Sequence, residues 1–171
     1  MVLKFFQNDL AFQAWAKVYP SLDEIHGIPE RYTWQSPIYA LKVHIAASYG
    51  LAKVVEKLTL GQAHSTLPTE EYTIGVDDQD PTGKTPLFWS VWGHHKAVSE
   101  LLIGKGALIS AIDKRKCTPL HAAAEIGCLS LVKLLINGGA CVSARNEEND
   151  TPLHAAAARG WDDVADRKSV V

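Results

Sequence analysis

The sequence predicts an all-α fold assembled from one helix pair used several times. Three observations predict it. The string Thr118-Pro119-Leu120-His121-Ala122-Ala123-Ala124 returns letter for letter as Thr151-Pro152-Leu153-His154-Ala155-Ala156-Ala157. A looser copy, Thr85-Pro86-Leu87-Phe88-Trp89-Ser90-Val91, precedes both at a constant interval, 118 − 85 = 33 and 151 − 118 = 33 residues. After the string, apolar residues at helical spacing are bounded by Gly127 and by Gly138-Gly139. A fixed period of this length marks a single supersecondary unit repeated along the chain.

The copy at Thr118 shows the unit most clearly. Asp113, five residues upstream, opens a polar turn, as Asp80 and Asn146 do before Thr85 and Thr151. Asp and Asn favour turns because their side chains bond nearby backbone. Gly83 and Asn149 tolerate positive φ two residues before the threonine; Lys116, in the same place, does so less well. Thr118 is expected as N-cap and Pro119 at the first helical position, where its missing N–H costs nothing. A first helix over Pro119–Ile126 ends at Gly127 in a left-handed conformation. A second helix over Leu129–Asn137 carries Leu131, Val132, Leu134, Leu135 and Ile136 and stops at Gly138-Gly139.

The other copies depart from this frame in informative ways. In the copy at Thr85 the glycine turn position holds His94, with Gly93 one residue early, so that turn is expected to differ slightly. An earlier, degenerate copy aligns Val43 to Gly50 with Leu120 to Gly127 and replaces Thr-Pro by Leu41-Lys42. From Leu41 to Thr85 is 44 residues, 11 more than the period, which places an extended loop over 65–79. Such an insertion is a tolerated surface loop or part of a binding face. The last copy fades where Arg167-Lys168 replace Leu134-Leu135, which reads as a truncated end or a polar terminal cap. Residues 1–40 lie outside the repeat: an amphipathic helix over 1–18 ended by Pro20, then a connector. The units then run over about 41–64, 80–112, 113–145 and an incomplete 146–171.

Composition narrows the function classes. Apolar content of 47% and charged content of 21% suit a globular chain. A net charge of −2 gives no general attraction to nucleic acid or an anionic membrane, and no apolar run reaches the roughly 20 residues of a membrane span. The N-terminus lacks the apolar core of a secretory signal. Three cysteines, Cys117, Cys128 and Cys141, without a signal peptide predict reduced thiols and an intracellular protein, cytoplasmic or nuclear.

A 33-residue unit of turn, Thr-Pro-Leu-His-x-Ala-Ala, Gly, then Val/Leu-Val-x-Leu-Leu and Gly-Ala resembles the ankyrin repeat. The resemblance covers residues 41–171. It implies a solenoid of stacked antiparallel helix pairs with hairpin-like loops and a concave groove, preceded here by an N-terminal helical segment. It also implies a non-catalytic scaffold that binds another protein through loop tips and the concave helix face. More weakly, the aromatic N-terminal helix and the Ala-Ala-x-Tyr-Gly-Leu unit resemble the ankyrin tails of fungal NACHT-type signalling proteins, where such units would be structural spacers within a larger receptor.

The repeated motif is expected to be frame rather than site: Thr85, Pro86, Leu87, Thr118, Pro119, Leu120, His121, Gly127, Thr151, Pro152, Leu153, His154 and Gly160. His44, His121 and His154 share one unit position, taken by Phe88 in the second unit, so a metal-ligand set is not expected. His94 and His95 are expected as a solvated turn. No nucleophile with an ordered base, no phosphate loop and no dinucleotide fingerprint is present. No catalytic residue, metal, cofactor, small-molecule substrate, nucleic acid or membrane is therefore expected. The expected contact surface is where the units differ: Trp89 and Trp92 on the first helix of the second unit, Glu125 and Arg159 beside the groove, and the tips Asp78, Gln79, Lys114, Arg115, Glu147 and Glu148. Packing of one or both tryptophans against the N-terminal region or the insertion is the alternative.

Overall fold

Each complete unit opens on a five-residue turn closed by its first side chain. In the computed structural model, which describes residues 38–60 and 75–165, Asp113 Oδ1 accepts the N–H groups of Arg115 and Cys117 at 2.9 and 2.8 Å. Asn146 Oδ1 accepts those of Glu148 and Asp150, both at 2.9 Å. Asp80 Oδ1 does the same for Thr82 and Lys84. The backbone closes each ring: Asp80, Asp113 and Asn146 donate to the carbonyls of Lys84, Cys117 and Asp150. The fourth residue must then turn left-handed, and Gly83, Lys116 and Asn149 have φ of 84°, 58° and 67°. Lys116 thus adopts the strained conformation despite its side chain, because the ring of hydrogen bonds leaves no alternative.

Eight helices follow among the described residues, with no strand. They are α1 (Ile38–Ser48), α2 (Ala52–Leu60), α3 (Pro86–Trp92), α4 (Lys96–Gly104), α5 (Pro119–Glu125), α6 (Leu129–Asn137), α7 (Pro152–Ala158) and α8 (Asp162–Ala165). The capped helices start at Pro86, Pro119 and Pro152, each behind an extended threonine. Without a Thr-Pro stop, α1 runs several residues further toward the N-terminus than that frame allows. The four units are therefore helix pairs, as the period predicts; the segments 1–37, 61–74 and 166–171, on which the expected N-terminal helix and most of the expected loop fall, lie outside the described residues.

Stacking is like on like. First helices pack in the order α1, α3, α5, α7 and second helices in the order α2, α4, α6, α8. Small side chains allow the close approach: Ala46, Ala47, Ala123 and Ala156 are fully buried. Between the two layers, Leu87, Leu102, Leu120, Leu131 and Leu135 have essentially no exposed surface. Leu134, which shares the apolar set of α6, is only half-buried and packs against the edge of this core. The second unit contains a polar exception: Ser90 and Ser99, both fully buried, bond each other across the helix pair at 2.8 Å. One hydroxyl donates to the other, which in turn donates to its own carbonyl, Leu87 for Ser90 or His95 for Ser99, so both protons have an acceptor.

The turn between paired helices is the same in all four units, contrary to the expectation for the second. His94 itself takes the left-handed conformation, φ 60°, beside 69°, 72° and 73° for Gly50, Gly127 and Gly160. The bonding is unchanged: His94 N–H donates to Val91 and His95 N–H to Ser90, as Gly127 and Cys128 donate to Ala124 and Ala123. The backbone of the turn is fixed by stacking on both sides, so the side chain yields.

Two measurements check this account. Leu135→Ala removes a fully buried side chain and is expected to lower unfolding stability by about 2–5 kcal/mol, with a clearly smaller loss for half-buried Leu134→Ala; chemical denaturation reads both. His94→Gly relieves a left-handed β-carbon at the expense of a looser unfolded chain, and a net gain of about 0.5–1 kcal/mol is expected. A lower melting temperature for His94→Gly would contradict a strained turn.

Candidate functional site

The shared histidine stitches one unit to the next. In α5 the backbone N–H of Thr118 donates to His121 Nδ1 at 3.1 Å, so this ring nitrogen is an acceptor. The proton then lies on Nε2, which donates to the carbonyl of Asp150 in the following turn at 3.1 Å. His44 Nε2 reaches the corresponding carbonyl, Lys84, at 3.1 Å, and that of Asp78 at 2.9 Å. The sequence interval is 40 residues for His44 and 29 for His121, and the difference is the 11-residue insertion. Both rings are buried and engaged with backbone.

A second stitch comes from the residue after the left-handed position in the second and fourth units. His95 Nε2 bonds the carbonyl of Ser48 at 2.9 Å, and Trp161 Nε1 donates to the carbonyl of Glu125 at 2.9 Å. Each ring lies over the preceding unit's turn glycine: a Cβ added to Gly50 or Gly127 would sit 2.5 Å from His95 or Trp161. His95 is thus a half-buried inter-unit contact and not a solvated turn residue, while His94 is exposed.

Of the expected contact residues, four pair with one another. Arg115 Nη2 donates to Glu148 Oε1 at 2.9 Å, joining the tips of two successive turns, and the bond raises the guanidinium above its ordinary value. Arg159 Nη2 pairs with Glu125 Oε1 beside the first helices. Both pairs are exposed, so each contributes at most about 1 kcal/mol. The tips are also joined by backbone, Lys114 N–H to the carbonyl of Thr82 at 2.9 Å and Glu147 N–H to that of Arg115 at 3.0 Å. Asp78 accepts the N–H of Gly75, and Gln79 donates to the carbonyl of Ile112.

The two tryptophans separate. Trp89 is buried, 4% exposed, and its Nε1 donates to Asp80 Oδ2 at 2.8 Å. It anchors the turn of its own unit and offers no contact surface, correcting the expectation for this residue. Trp92 is half-buried and stacks on Phe88, ring centres 6.4 Å apart with 17° between planes. Above them lies Lys84, a residue the sequence reading passed over. Its Nζ is 5.3 Å from the ring centre of Trp89, 5.5 Å from Phe88 and 5.9 Å from Trp92. The signal was present: Lys84, Phe88 and Trp92 are spaced by four, and Phe88 stands where other units carry histidine.

Cys117, Cys128 and Cys141 are free thiols. Burial and then Asp113 push the Cys117 thiol up, whereas hydrogen bonding to Ser143 lowers exposed Cys141. Among the described residues no cluster of His, Cys, Asp and Glu is arranged to hold a metal ion, and no helix is long and apolar enough to cross a membrane.

Residues 93–167 match the family model for ankyrin repeats, in three copies. This stretch is built of ankyrin repeats. A putative ankyrin repeat protein of Borreliella burgdorferi is 34% identical over 63 residues, which are 37% of this chain and 29% of that protein. The chain thus spans under a third of that relative's length. Both α1–α2 and α3 precede the matched residues, yet α1 and α3 stack in the same order as the helices within them. The same stacking therefore continues through all four described helix pairs.

Gly127 and Gly160 separate strain from contact. Both have φ near 70°, but a Cβ at Gly160 meets nothing within 4 Å. Gly160→Ala is expected to cost about 1 kcal/mol from backbone strain alone, and Gly127→Ala clearly more, because Trp161 must also move. Thermal melts of the two variants check the difference; equal losses would remove Trp161 from the stitch.

Proposed function

We propose that this chain is a non-catalytic interaction module that binds another protein through its turn tips and the concave face of its first helices. Ankyrin repeats generally serve protein interaction, which supports the class. The carrying observation concerns what the frame leaves over. Thr118, Leu120, His121 and the alanines after it are consumed by capping, stacking and inward hydrogen bonds. Trp92 and Lys84 instead occupy positions where the next unit has Glu125 and Cys117, so the scaffold does not require them. A half-buried tryptophan near the middle of a stacked face is a typical interface anchor. The tips Lys114, Glu147 and the paired Arg115 and Glu148 form a polar rim beside it.

Affinity capture with the full chain, followed by identification of bound proteins, tests the proposal. Trp92→Ala combined with Lys114→Glu, in a protein that melts like the parent, is expected to weaken capture of a specific partner at least tenfold, about 1.4 kcal/mol. Undiminished capture would move the contact off this face.

A further inference from the structure

We infer, building on the interaction-module reading, that the partner segment bound at the second unit is acidic, with a carboxylate directed to Lys84 beside an apolar side chain lying on Trp92. Lys84 is held over three aromatic rings, each centre within 6 Å of its ammonium. A cation positioned this way has already lost much of the side-chain freedom that binding would otherwise remove. The rings stabilise the charge without neutralising it, and among the described residues Lys84 forms no ion pair.

The acids of the neighbouring turns and groove are otherwise engaged. Asp80 Oδ1 accepts from Thr82 and Lys84 N–H and from the Thr82 hydroxyl, and Oδ2 accepts from Trp89. Asp113 closes the next turn, and Glu125 is neutralised by Arg159. On that next turn Lys114 and Lys116 are exposed, and neither joins an ion pair among the described residues. Hydrogen bonding leaves Asp80 and Asp113 charged, but the ammonium groups of Lys84, Lys114 and Lys116 form no ion pair among the described residues, and that of Lys84 lies over the half-buried Trp92 ring. A carboxylate satisfies the ammonium by a charge-assisted hydrogen bond, and an apolar neighbour covers the Phe88–Trp92 stack. Nucleic acid could also use a lysine and a tryptophan, but Glu147 and Glu148 on the adjacent tip oppose a continuous phosphate track.

The test uses the full chain and three fluorescent probes: a short peptide with glutamates between leucines, its glutamine counterpart, and a single-stranded oligonucleotide. The glutamate peptide is expected to bind at least tenfold tighter than the glutamine one, and the advantage should shrink with added salt. Lys84→Gln should abolish that advantage and Lys84→Arg keep it. Equal affinity for the two peptides, no saturable binding, an advantage surviving Lys84→Gln, or displacement of the peptide by the oligonucleotide overturns the inference. A captured protein partner that is released by Trp92→Ala but indifferent to Lys84→Gln also overturns it, while leaving the interaction-module reading intact.

Discussion

The closed polar turn is the constraint on which the rest of the stack depends. One side-chain oxygen of Asp80, Asp113 or Asn146 gathers two backbone N–H groups and fixes where the following carbonyl points. That carbonyl, Lys84 or Asp150, receives the imidazole of the preceding unit. Turn geometry is thereby converted into the spacing between helix pairs. Each contact is modest by itself, but joined with the stacking of neighbouring helix pairs it adds to a stability that accumulates along the array.

The same frame explains which irregularities are tolerated. His94 and Lys116 accept left-handed backbone because neighbours on both sides determine the path of the chain. The buried Ser90–Ser99 pair survives in an otherwise apolar layer because both hydroxyl protons have an acceptor. Where Phe88 replaces histidine the side-chain stitch to the next turn is absent, and backbone contact between Lys114 and Thr82 bridges the two turns. Phe88 instead supports Trp92 and Lys84, so a lost frame contact and a gained surface feature coincide at one substitution.

Much of the candidate surface was legible as departures from the period, but its chemistry was not. Trp89 and Trp92 look alike in the sequence, two aromatics three residues apart on one helix. Their fates differ because Trp89 lies within reach of Asp80 and Trp92 does not. Glu125 with Arg159, and Arg115 with Glu148, are one period or one period plus one residue apart. Adjacent units bring such positions together, so charges that appear independent along the chain partly neutralise each other. Trp161 escaped notice because the importance of its position depends on what it covers, the glycine of the unit before.

The sequence by itself determined the unit, its length, its helix starts and its register, including the degenerate first copy and the size of the insertion. These follow from local chemistry: caps, prolines, turn-forming side chains and apolar spacing act within a few residues of themselves. Only the tertiary structure decided which of the distinctive side chains remain free. Burial, ion pairing and the ring-over-glycine contacts join residues about 33 positions or more apart, and no local rule specifies them. Lys84 lies between the two cases, because its aromatic partners Phe88, Trp89 and Trp92 are near neighbours in sequence but meet its ammonium only once the capped helix has formed. Along the chain it is one lysine before a threonine; in the stack it is a fixed cation on an aromatic floor.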